Sequence, residues 1–159
     1  MLQSDLRKIL AKELLPRAMD LLKKVGLEGF ENRYPFELFG GMRQRAAICR
    51  ALVHAPPFLF FDEPFGALDA LAREQMRVDL EKLWLDRRQN VLFITHGIAE
   101  AVALSDRVVV MTSRPGRVER IIDIDLPRPR SSAVLASPKL VGYCGTIKDI
   151  FSATGILKD

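Results

Sequence analysis

The chain is poor in the residues that staple a fold or ligate a metal. Two cysteines, two histidines, one tryptophan and two tyrosines are spread over 159 residues. Cys49 and Cys144 lie far apart, so there is neither the cysteine framework of a small secreted protein nor a Cys/His metal spacing; a single bridge between them stays open. Cys49 sits among Ala46, Ala47, Ile48, Ala51 and Leu52, an apolar helical stretch in which a thiol acts as a small core residue. No apolar run approaches the ~20 residues of a membrane-spanning helix. The first residues carry Asp5, Arg7 and Lys8 and no unbroken apolar core, so no secretory leader is expected. No internal repeat is visible. These absences leave a soluble, cytosolic chain as the expectation.

Hydrophobic residues make up 48% of the chain, the composition of a globular protein. A chain of this length forms one domain and buries roughly 68–70% of its unfolded surface. The formal charge is +4 and the pI near 9.3, which admits nucleic acid or an anionic membrane as partner. The charges are scattered as on an ordinary solvated surface, and no nucleic-acid partner is expected.

Periodicity divides the chain into alternating elements. Leu6, Ile9, Leu10, Leu14, Leu15, Met19, Leu22 and Val25 recur at helical spacing, with Pro16 predicting two helices or a kink. A second helix is expected from Met42 to about His54. The run Phe58-Leu59-Phe60-Phe61, bounded by Pro56-Pro57 and Asp62-Glu63-Pro64, suits a strand buried on both faces of a parallel sheet. A helix from about Ala70 to Arg88, the strand Val91–Ile94, a short helix Ile98–Leu104 and the strand Val108–Met111 follow. This alternation predicts an α/β fold with a parallel sheet. Val118, Ile122, Ile124 and Leu126 predict a half-exposed strand. Residues 127–138 read as a linker, and Gly142 and Gly145 make the last segment a weak helix.

Three short features carry chemistry. Gly40-Gly41 directly before a helix leaves N–H groups able to meet an anion, with the helix dipole favouring negative charge. Asp62-Glu63 at the carboxyl end of a strand lies where α/β folds place ligands; one carboxylate can hold magnesium through water and the next can orient or deprotonate water. Thr95-His96 ends the following strand, where a histidine can touch a phosphate. Each feature alone also has a plain structural reading: a common loop, a strand exit, a hydrogen-bonded residue at a sheet edge.

In order, Leu38-Phe39-Gly40-Gly41-Met42-Arg43-Gln44-Arg45, the strand ending in Asp62-Glu63, Phe65-Gly66-Ala67-Leu68-Asp69 and the strand ending in Thr95-His96 resemble the ABC ATPase family over nearly the whole chain. The resemblance implies an incomplete P-loop NTPase core with part of the family's helical subdomain. Residues 1–54 would be the helical subdomain and signature helix, 55–126 the C-terminal part of the nucleotide-binding core, and 127–159 a C-terminal extension. It also implies ATP and Mg2+ as cofactors. Phe39, Gly40, Gly41, Gln44 and Asp69 would face nucleotide through the signature and D-loop. Asp62 would be the metal-binding Walker B aspartate, Glu63 the general base and His96 the switch histidine. Met111-Thr112-Ser113-Arg114-Pro115-Gly116-Arg117, with Asp125-Leu126-Pro127-Arg128-Pro129-Arg130 and Ser137-Pro138, is similar to importers of nitrate, sulfonates or taurine. Implied partners are transmembrane permease subunits, a second ATPase subunit packed head to tail and, indirectly, a solute-binding protein. The implied place is the inner face of the cell membrane, on the cytoplasmic side.

The sequence departs from the family at three points. No G-x-x-x-x-G-K-[ST] occurs in the 159 residues, so the loop that cradles β- and γ-phosphates is not among them. Phe39 stands where the family has serine, removing a hydroxyl donor. Gly97 replaces the aspartate that follows the histidine, a minor change at a helix N-cap. The expectation is a truncated ATP-binding subunit, inactive alone. The alternative is a non-catalytic module that docks on a permease or on an intact ATPase subunit.

Overall fold

The structure is a computed structural model that describes residues 2–66 and 68–156, with side chains from residue 11 onward. Contacts divide it into two compact units, one ending at Leu92 and the other beginning at Phe93.

The first unit begins with helix α1, Leu2–Lys24. It runs through Pro16 as one element, so of the two helices or a kink expected there, the two separate helices are not found. Proline removes one helical hydrogen bond, and packing of α1 against the next helix offsets the loss. Arg17 strengthens that contact by donating to the Leu52 carbonyl at 2.7 Å. Of the expected apolar stripe, Val25 is buried, Leu22 is half-buried and Leu15 and Met19 face solvent, while Leu6, Ile9 and Leu10 lie outside the described side chains; Leu21, which was not in that stripe, is buried as well. Helix α2, Gly40–Leu52, contributes Ile48, Cys49 and Leu52 to the interior. Helix α3, Ala70–Arg87, contributes Met76, Leu80 and Leu83, and the three helices touch one another. Such burial is worth about 1.5–3 kcal/mol for each large aliphatic side chain. Lys24 bridges α1 to Asp86 of α3, and this hydrogen bond, followed by that to Asp20, raises the lysine's pKa.

Strand β1, Phe58–Asp62, pairs with β2, Asn90–Ile94, in a two-stranded parallel sheet. The boundary between the units falls within β2. Leu59 and Phe61 are buried, but Phe58 and Phe60 are 48% and 72% exposed. The expectation of a strand covered on both faces is therefore corrected: among the described residues only one face is covered. An unbroken apolar run reports what a strand is suited to meet, and here half of that surface is open.

The second unit contains helix α4, Ile98–Leu104, and strands β3, Arg107–Met111, and β4, Val118–Asp123. The strands pair antiparallel, with Val108 opposite Ile122 and Val109 opposite Ile121. A bulge sets Met111 opposite Val118, leaving Glu119 unpaired, which takes Val118 off the inward-facing set and into solvent. Ile124 and Leu126 continue the inward alternation beyond the strand. They join Val102, Val108, Val110, Leu140, Ile147 and Ile150 in one core.

Helix α5, Ser132–Leu135, is a single turn, and α6 spans Pro138–Ala153. The last segment is thus a full helix and not the weak one its glycines suggested. Ser137 caps it by accepting from the Leu140 N–H, Pro138 opens it with a preset φ, and Leu140, Ile147 and Ile150 anchor it. Residues 127–131 are no free linker either, because Arg130 is 2% exposed.

Candidate functional site

In the first unit, the link between α1 and α2 is shaped by Glu37, whose carboxylate accepts from the Tyr34 N–H at 2.7 Å and pairs with Arg33. Beyond it, Phe39 is the N-cap of α2 with extended backbone and no side-chain cap hydrogen bond. Its carbonyl accepts from Arg43 N–H at 2.9 Å and closes the first turn. A helix start leaves its first N–H groups without intrahelical partners. A phenylalanine side chain cannot serve them as serine would, and no side-chain cap is present at this helix start. Phe39 is 78% exposed. Gln44 follows within this turn, half-buried.

Asp62, exposed, closes β1, and Glu63 follows, half-buried, with φ at 47°, in the left-handed region. A non-glycine residue there carries strain of about 1–3 kcal/mol. The chain then turns over Pro64 and the buried Phe65, the Gly66 N–H reaching back to the Glu63 carbonyl. Asp69 caps α3, its carboxylate accepting from the Ala72 N–H at 2.8 Å. The same Ala72 approaches the signature helix: a Cβ built on Gly41 would lie 3.9 Å from the Ala72 Cβ. The structure thereby brings Gly41 and the Asp69 turn together. Arg45 of α2 also faces α3, with its Nε 3.6 Å from a buried Asp79 oxygen. Gln75 holds the other Asp79 oxygen at 2.9 Å.

His96 belongs to the second unit, exposed in the turn between β2 and α4. Thr95 Oγ1 accepts from the Gly97 N–H at 2.9 Å and donates to Glu100 Oε2 at 2.7 Å. The Glu100 carboxylate is folded back over the helix start, where a Cβ on Gly97 would come within 2.9 Å of it. A Cβ at position 97 would therefore require the flexible end of the Glu100 side chain to shift. Sequence reading missed Glu100, the strained backbone of Glu63 and the stacked pair Tyr34–Phe36, both exposed, with ring centroids 5.4 Å apart. A glutamate three residues after a helix cap was the available signal for the first; nothing in the sequence announced the second.

Among the described residues no three His, Cys, Asp or Glu side chains cluster as a metal cage. A magnesium ion held by one or two carboxylates, with phosphates completing the shell, needs fewer protein ligands than such a cage, and Asp62 and Glu63 are the carboxylates that the resemblance would assign to it. The cradle for those phosphates is not contained in these residues, so the chain fits one part of a magnesium–nucleotide site and no reaction step is derived through it.

A family model described as ABC transporter matches residues 4–66. The chain is 50% identical over 126 residues to an uncharacterized ABC transporter ATP-binding protein of Methanocaldococcus jannaschii, covering 79% of this chain and 47% of that protein. It is 43% identical over 152 residues to a taurine import ATP-binding protein of Rhizobium johnstonii, covering 92% and 58%. A dimeric ATP-binding cassette in a post-hydrolysis state with ADP and Pi superposes with a TM-score of 0.57 at 36% identity, covering 69% of this chain and 46% of that one. Over the residues compared, the chain is similar to ABC transporter ATP-binding proteins. It spans about half the length of the curated relatives it matches.

Proposed function

We propose that this chain supplies the signature, Walker B and switch-histidine parts of an importer ATPase for taurine-like or sulfonate-like solutes, and that these 159 residues alone do not turn over ATP. One observation carries the reading. Gly40-Gly41 at an open helix start and Asp62-Glu63 at a strand exit share one unit, yet no G-x-x-x-x-G-K-[ST] accompanies them. In this role Asp62 holds magnesium, Glu63 takes the proton of water, and the signature and Asp69 turn face the nucleotide of a second ATPase subunit. His96 meets the terminal phosphate. The solute class rests on the resemblance to the taurine importer subunit. Permease subunits, and indirectly a solute-binding protein, complete the assembly at the cytoplasmic face of the membrane. No helix among the described residues is long and apolar enough to cross it.

Titration of the purified chain with Mg-ATP tests the proposal, with no saturable binding and no phosphate release expected. Micromolar binding with steady hydrolysis would overturn it. A second reading, a non-catalytic module that pairs with a permease or an intact ATPase subunit, draws on the start of α2, which has no side-chain cap. Phe39 counts against full activity in that pairing, since loss of one oxyanion donor costs ~10²–10³ in rate in comparable roles. Co-purification with an intact subunit decides whether such pairing occurs.

A further inference from the structure

Helix α4 is seven residues long, about 10 Å. Isolated helices below ~12–15 residues are marginal in water, so partners must fix its position. On its inner side Val102 and Ala103 are buried in the core. Its amino end is tied to the histidine turn through Glu100 and Thr95. Its carboxyl end presents carbonyls that have no helical partner, and the donors come from residues 128 and 130.

Arg130 Nη1 donates to the Val102 carbonyl at 2.9 Å and to the Ser105 carbonyl at 2.8 Å, and its side chain has no solvent exposure. Arg128 Nη2 donates to the Leu104 carbonyl at 2.6 Å, and its Nε and Nη2 grip Asp106 Oδ1 at 3.0 and 2.8 Å. Arg130 Nη2 lies 3.7 Å from the same carboxylate oxygen. Two cations thus sit at the negative end of α4, where its dipole favours them. Prolines 127 and 129 flank Arg128 and fix their own φ, which lowers the entropy lost in holding this strap.

We propose that Arg130, assisted by Arg128, is a positioning residue for His96. By gripping the carboxyl end of α4 it holds the helix whose other end carries the Thr95–Gly97 turn. The proposal rests on the reading of His96 as a functional residue, but its physical content is testable without nucleotide.

The experiment uses the full chain with Arg130→Gln, and Arg128→Gln as the milder change should the first fail to fold. Amide hydrogen exchange and the His96 Cε1–H resonance are followed at constant pH. Loss of the grip is expected to speed exchange at Ala101 and Ser105 roughly tenfold or more. It should also shift or broaden the His96 resonance, and Arg130→Lys should restore it in part. Faster exchange with an unmoved His96 resonance would reduce the arginines to a helix cap and overturn the proposal. So would exchange that stays unchanged. Steady Mg-ATP hydrolysis in the titration above would overturn the reading of the chain as inactive alone and leave this result standing.

Discussion

The two units handle their surfaces differently. In the second, the carboxyl end of α4 is met by buried arginine and the inner face of the hairpin is packed under α6, although Val109, Met111 and Ile121 remain outside. In the first, the residues nearest the candidate chemistry are open: Phe39 and the start of α2, Asp62, and the sheet face of Phe58 and Phe60. A closed core with satisfied ends describes a part whose task is to hold shape. Open ends beside strained backbone describe a part meant to be met.

The comparison breaks first at the core. Ile147→Ala removes a side chain 2% exposed and should cost about 2–5 kcal/mol in urea unfolding. Phe60→Ser, at a side chain 72% exposed, should change stability by about 0.5 kcal/mol or less while reducing self-association in light scattering. Equal costs at the two positions would erase the distinction between the units.

A smaller effect sharpens it at the helix starts. Asp69→Ala removes the cap of α3 and should cost about 0.5–2 kcal/mol, read by the fluorescence of Trp84 on that helix. Phe39→Ser should gain up to about 1 kcal/mol by providing α2 with the cap it lacks. Gly142→Ala has open space for its Cβ and should stabilise α6 by up to about 1 kcal/mol in thermal unfolding.

A further effect is alkaline. Burial pushes the Cys49 thiol from 9.0 up to about 11. The folded chain then keeps a proton that the unfolded chain loses, so this contribution is full below pH 9 and drains away as pH rises toward 11. Unfolding midpoints across that window, compared with Cys49→Ala, check it. Iodoacetamide should label Cys49 only as the chain unfolds.

Element positions were largely legible because hydrophobic period and punctuation agree: α4 falls on the residues the pattern gave, and α2, α3, β2 and β3 within about two residues. Three features were not. Pro16 in α1 was outweighed by packing on α2, a tertiary effect that local propensity cannot report. The strength of α6 came from Ser137, Pro138 and a buried face that outweigh two glycines. The role of Arg128 and Arg130 depends on carbonyls more than 20 residues earlier, so proline and arginine content suggested only a linker. For the candidate site, Gly40-Gly41, Asp62-Glu63 and His96 were readable as an ordered set of motifs. The approach of Gly41 to the Asp69 turn and the fold-back of Glu100 exist only in three dimensions.

The left-handed backbone at Glu63 has a consequence for how this position can change over generations. Glycine would relieve the strain there and stabilise the fold, and asparagine would relieve part of it. Drift under selection for stability alone therefore runs away from glutamate, and the steps to glycine or asparagine discard the carboxylate. Glu63 is a residue that folding by itself does not favour. Stability and chemistry pull in opposite directions at this one position, and a survey of tolerated substitutions would register which of them has been the stronger.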